Sequence, residues 1–115
     1  MKPTVTYVAG PMSGLPDYNY PAFHAAAAQL RETGRTVLNP AENPVPPCGS
    51  WLGYMRMAVA QVAQADELVM LPGWEKSKGA RVEFSLALGL GLEVMTLAEA
   101  MERMKPRAAR NAATT

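Results

Sequence analysis

Cysteine is almost absent: Cys48 is the only one in 115 residues, so no internal disulfide can form and a metal cluster is not expected. Histidine is as scarce. His24 stands alone, without an evident acid or nucleophile partner, and is expected on the exposed side of the first helix. An excess of charge of one sign is also missing. Eleven Lys and Arg face ten Asp and Glu for a net charge of +1, which gives no general surface for nucleic acid or membrane. No run approaches the ~18 apolar residues of a membrane span. Met1-Lys2-Pro3-Thr4 leads straight into a strand-like run without a signal-peptide pattern, so a cytoplasmic protein is expected. What is present is apolar residue in quantity, 49%, enough for a packed core. The length suits one domain, expected over residues 1–104 with a flexible, mildly basic tail at 105–115.

Thr4-Val5-Thr6-Tyr7-Val8-Ala9 is rich in β-branched and aromatic residues and is closed by Gly10-Pro11, which reads as a first strand followed by a loop. A helix begins near Asn19 with Pro21 in its first turn. Phe23, Ala26, Ala27 and Leu30 form its apolar face, and Gly34 ends it. Thr36-Val37-Leu38 is a short second strand. Asn39 to Gly49 holds Pro40, Pro44, Pro46 and Pro47 and is expected as a long surface loop without helix. Ser50 is an N-cap candidate for a helix to about Ala65, with the stripe Trp51, Met55, Ala58, Val59 and Val62. Glu67–Leu71 reads as a third strand, Gly79 to about Leu90 as a helix, Leu92–Thr96 as a fourth strand, and Leu97–Met104 as a closing helix.

Strand and helix alternate four times, which predicts a three-layer α/β fold with a four-stranded parallel sheet in the order 2-1-3-4, flavodoxin- or Rossmann-like. Ligands of such sheets bind outside the carboxyl ends of the strands, at the point where the strand order reverses. That rule selects the loops Gly10–Tyr18 and Pro72–Gly79.

Neither loop carries a P-loop or a dinucleotide fingerprint. Gly10-Pro11-Met12-Ser13-Gly14 allows close backbone approach to a ligand, or is only a tight turn. In the second loop Ser77, Lys76, Lys78 and the free N–H groups opening a helix suit an anion. Glu83 lies one turn further on, where it either faces a pocket or complements the helix dipole. Trp51 and Tyr54 either cover a ligand or pack on the sheet, Cys48 lacks the surroundings of a thiol enzyme, and the eight methionines suit core gaps.

Three segments carry a family resemblance: Tyr7-Val8-Ala9-Gly10-Pro11-Met12-Ser13-Gly14 with Tyr18-Asn19-Tyr20-Pro21-Ala22-Phe23; Leu71-Pro72-Gly73-Trp74-Glu75-Lys76-Ser77-Lys78-Gly79-Ala80 with Glu83; and Ala65-Asp66. Over roughly residues 4 to 96 the chain resembles the DUF4406 family, small bacterial and phage proteins placed near the nucleoside 2-deoxyribosyltransferases and the 2′-deoxynucleoside 5′-monophosphate N-hydrolases. The hydrolases carry a Ser-x-Gly-x-x-x-Glu segment, matched here by Ser77-Lys78-Gly79-Ala80-Arg81-Val82-Glu83. The resemblance implies Glu83 as nucleophile, Ser77 as a phosphate contact and Tyr7 as a catalytic partner on the first strand. It further implies Gly10, Met12, Ser13, Gly14, Asn19, Trp74 and Gly79 as substrate-binding positions. The expected ligand is a nucleoside or nucleotide, with no metal or cofactor. The activity is cleavage or transfer at an N-glycosidic bond, or nucleotide binding without turnover.

One departure stands out. The enzymes carry an aspartate that protonates or orients the base, and counting back eight residues from Asp66 reaches Ala58. Relatives complete their sites across a dimer, so a homodimer or higher homo-oligomer is expected, with Met55, Met57 and Leu86 as its contact.

Overall fold

A computed structural model describes residues 3–103. Four strands form where the β-branched and apolar runs lie: β1 (Val5–Ala9), β2 (Thr36–Leu38), β3 (Glu67–Met70) and β4 (Glu93–Thr96). Helices α1 (Tyr20–Glu32), α2 (Trp51–Gln64) and α3 (Lys78–Gly89) connect them, and α4 (Leu97–Arg103) follows the last. Each helix carries the chain back to the edge where it started, so all strands run parallel. Their order is β2-β1-β3-β4, with Tyr7 opposite Leu38 on one side and Leu68 on the other. This is the expected α/β sheet. Met104 and the expected tail at 105–115 lie outside the described residues.

Capping follows local chemistry. Ser50 accepts a bond from the Gly53 N–H at 3.1 Å and Ser77 one from Ala80 at 3.2 Å, each satisfying an otherwise orphaned donor. Pro21 occupies the first turn of α1, where no donor is lost. Element ends differ from the sequence reading by one residue: β1 starts at Val5, β3 stops at Met70, α3 starts at Lys78 and β4 at Glu93. One expectation needs correction. The proline-rich stretch after β2 does contain helical structure, a 3-10 turn at Pro40–Glu42. Pro40 sits at its first position, and the Asn39 side chain accepts from the Ala41 N–H at 3.0 Å, so proline costs nothing there.

Strand alternation divides the core into two layers. Val8, Val37, Val69 and Met95 face α1 and α4, meeting Phe23, Ala26, Ala27, Leu30 and Ala100. Tyr7, Ala9, Leu68 and Met70 face α2 and α3, meeting Ala58, Val62 and Ala87. The second face therefore carries Tyr7 toward the helices that bear Ala58 and Glu83.

At the amino ends of the strands a polar knot replaces apolar packing. Thr6 Oγ1 and Arg35 Nε both donate to Glu67 Oε1, with Arg35 and Glu67 buried. Asp66 accepts the Val5 N–H at 2.8 Å, as expected for a residue remote from the carboxyl edge. Removing one partner of a buried ion pair strands the other charge, at about 3 kcal/mol or more. Arg35→Leu is accordingly expected to lower unfolding stability by about 3 kcal/mol in urea titration, and Arg35→Leu with Glu67→Leu to recover much of the loss.

Candidate functional site

The loops leaving β1 and β3 meet closely because two glycines permit it. A Cβ on Gly10 would lie 2.8 Å from Leu71 Cβ, inside any allowed contact. Gly73 adopts φ +88, and a Cβ there would approach Pro11 at 3.3 Å. Between these loops, α2, and the segment after β2 opens a cleft of about 960 Å³, at the upper end of the ~300–1,000 Å³ range of ligand pockets.

Seven of the residues singled out from the sequence, Tyr7, Gly10, Met12, Ser13, Ser77, Gly79 and Glu83, lie on its wall. Three do not. Gly14 lies beyond the wall at φ +81, where it turns the chain. Asn19 donates from Nδ2 to the Pro11 carbonyl at 3.0 Å, bracing the first loop from behind. Trp74 turns inward and packs on Phe84, ring centroids 4.7 Å apart, as part of the core layer under α3. His24 is exposed on α1, as expected, with Nδ1 3.3 Å from Asn39 Nδ2.

Glu83 and Tyr7 form the floor. Glu83 is 6% exposed and Tyr7 fully buried, and the Tyr7 hydroxyl donates to Glu83 Oε2 at 2.6 Å. Among the described residues Glu83 Oε1 has no hydrogen-bond partner, which makes it the oxygen offered to the cleft. Burial penalises the charged carboxylate and pushes its pKa from 4.5 to about 7, against the smaller opposing pull of the Tyr7 bond. Burial and the neighbouring carboxylate hold the Tyr7 phenol well above its ordinary value, so its proton stays on the bond. The group is thus poised between acid and base near neutrality, a property that clusters at chemically active sites.

Above the floor the walls differ in character. Lys76, Ser77 and Lys78 surround the opening turn of α3, whose first N–H groups have no intrahelical acceptor. Lys78 Nζ stands 4.5 Å from the Trp51 ring centroid, a cation–π contact that ties α3 to the start of α2. Tyr20, Tyr54, Met55 and Ala58 add apolar and aromatic surface to the lining. Trp51 and Tyr54 line the cleft. Asn43 and Pro40, after β2, were not singled out from the sequence, although the carboxyl-edge rule extends to that loop as well. A three-residue left-handed run, Asp17, Tyr18 and Asn19 with φ 52, 52 and 61, brings Tyr18 to the rim.

The raised Glu83 value sets a sign for stability. Between pH 4.5 and 7 the folded protein holds a proton that the unfolded chain has released, so stability falls as pH rises through that window and levels above it. The effect is on the order of 3 kcal/mol. Chemical denaturation at pH 4.5, 6 and 8 is expected to show this decline in the parent chain and to lose it in Glu83→Gln.

No curated protein matches the chain. Among solved structures, the 2-desoxiribosyltransferase from Leishmania mexicana superposes with TM-score 0.66 at 19% identity, over 82% of this chain and 63% of that one. The 2-deoxyribosyltransferase from the psychrotolerant bacterium Bacillus psychrosaccharolyticus superposes with TM-score 0.66 at 23% identity, over 81% and 71%. The chain thus spans less than two thirds of the Leishmania protein. At these identities the likeness is one of fold: the sheet and helices here are those of 2-deoxyribosyltransferase structures. The profile of DUF4406, a domain of unknown function, matches residues 4–96, and the chain belongs to that family.

Proposed function

We propose that this protein cleaves or transfers at the N-glycosidic bond of a (deoxy)nucleoside 5′-monophosphate, with Glu83 as nucleophile. The observation that carries the reading is the Tyr7–Glu83 pair at the floor of an otherwise open cleft. Such a carboxylate has few structural uses, because burying it costs stability. Its free oxygen Oε1 attacks the anomeric carbon while the bonding pair leaves with the base nitrogen, through an oxocarbenium-like state. The base takes its proton from water. A second nucleophile, water or another base, then displaces Glu83 and restores the carboxylate. Tyr7 holds Oε2 and thereby aims Oε1. Lys76, Ser77 and the N–H groups opening α3 form a subsite for the 5′-phosphate, whose negative charge the helix terminus favours. The fold shared with proteins named 2-deoxyribosyltransferases supports the same chemistry.

A second reading, nucleotide binding without turnover, is favoured by Ala58. It sits on the cleft wall, only 5% exposed, where the resemblance puts an aspartate that assists the leaving base. General acid help is worth about 10²–10⁴-fold, so its absence slows cleavage without forbidding it.

Incubation with nucleoside 5′-monophosphates separates the two readings. Free base is expected from the parent chain, and Glu83→Gln is expected to lose more than about 10³-fold of that rate while staying folded and melting no lower than the parent. Saturable binding with no base released would support the second reading alone. Since the nucleophile must be ionised, kcat/KM is expected to rise about tenfold per pH unit below 7 and to level above it.

The reading also includes self-association. Of the contacts expected from the sequence, Met55 lines the cleft, Leu86 is half-buried in the core and Met57 is half-exposed on α2, so the exposed Leu52, Val82 and Leu88 on α2 and α3 supply apolar surface along with Met57. Light scattering is expected to give at least twice the mass of one chain; the mass of one chain would exclude the assembly.

A further inference from the structure

Asn43 Nδ2 donates to Gln61 Oε1 at 2.9 Å, and Gln61 Nε2 donates to Asn43 Oδ1 at 2.9 Å. The two carboxamides close a ring between the loop after β2 and the third turn of α2. Asn43 reaches the cleft wall, together with Ala58 one turn before Gln61. Its backbone is fixed as well, because its N–H donates to the Pro40 carbonyl at 3.1 Å and Pro44 follows. A side chain pinned at both ends is suited to reading a ligand.

The pairing constrains what it can read. Each amide spends one N–H and one oxygen lone pair on its partner, and keeps one N–H on one flank and one lone pair on the other. Turning a single amide over would set donor against donor and acceptor against acceptor. Turning both together preserves both bonds. The pair is therefore a two-position element, and the group that Asn43 itself presents on a given side is an N–H in one position and an oxygen in the other.

We infer that Asn43, positioned by Gln61, is a specificity residue that hydrogen-bonds the heterocycle of the bound ligand and serves an exocyclic amino group and a ring carbonyl equally well. This rests on the glycosidic reading, which identifies the ligand as carrying a heterocycle. Met55 and Ala58 from α2 and Tyr20 from α1 offer the ring apolar and aromatic contacts, which favour any base and select none. Discrimination falls to the polar contact, since a ring that has neither group displaces water from the half-buried amide and returns no hydrogen bond.

The test is binding calorimetry on the full chain carrying Glu83→Gln, so that no ligand is consumed. Two matched series of 5′-monophosphates serve as probes: adenine, hypoxanthine and unsubstituted purine, and cytosine, uracil and 2-pyrimidinone. In each series the amino and carbonyl members are expected to bind alike and about tenfold better than the member lacking both, the size of one neutral hydrogen bond. Adding Asn43→Asp fixes an acceptor, and is expected to keep amino-base binding while weakening carbonyl-base binding about tenfold. Adding Asn43→Leu is expected to make all three members equal, and Gln61→Leu to shrink the preference with the melting temperature kept. An amino-to-carbonyl ratio that Asn43→Asp leaves unchanged, or a preference that survives Asn43→Leu, overturns the inference while leaving the glycosidic reading intact. Absence of binding by every nucleotide to the parent side chains overturns both.

Discussion

Placing a carboxyl group where water barely reaches it sets the terms for the rest of this molecule. Glu83 has Tyr7 as its partner, and the contact joins the middle of β1 to a point one turn into α3. Tyr7 faces α3 only because strand alternation sends it to the same side as Ala9, while Val8 goes to the other layer. Glu83 reaches it only because α3 starts close to the sheet. That start depends on Gly73 turning the chain beside Pro11 and on the absence of a side chain at Gly79, where a Cβ would come within 3.2 Å of Met55 Sδ. A raised carboxyl pKa and a buried floor are thus consequences of one packing arrangement.

Most of the scaffold was legible along the chain. β-branched runs bounded by glycine and proline marked the strands, Pro21 and Ser50 marked helix starts, and alternation of strand and helix sufficed for the parallel order. These signals are local or depend on general chirality, so they survive without coordinates. The carboxyl-edge rule likewise located the two loops that flank the cleft.

Side-chain direction was not legible. Trp74 reads as a ligand-facing aromatic beside Gly73, but the turn that follows rotates its ring onto Phe84. Asn19 sits in a family-like segment, yet its amide is spent on the Pro11 carbonyl. The 3-10 turn at Pro40–Glu42 depends on the Asn39 side chain accepting the Ala41 N–H, a cap that a proline-rich run does not announce. The Asn43–Gln61 ring joins residues 18 positions apart, and no periodicity links a loop amide with a helix amide. In each case the deciding interaction is a tertiary hydrogen bond or ring contact, which composition and spacing do not encode.

Ala58 gives the proposed chemistry its character. An acid at that position would share the work of bond breaking by protonating the departing base. Tyr7 does not replace it, because its proton is held on Glu83 and its acidity is suppressed by burial and by that same carboxylate. Beside Ala58 on α2 the cleft is lined by Tyr54 and Met55, which offer no carboxyl group, and the lysines stand at the opening of α3. The driving force must then come from the nucleophile: a carboxylate stripped of water and held in place by Tyr7 begins close to its reactive state and gains by sharing its charge with an oxocarbenium carbon. Under the glycosidic reading this arrangement favours bases that leave without protonation, and it makes the ionisation of Glu83, rather than delivery of a proton, the step on which turnover depends.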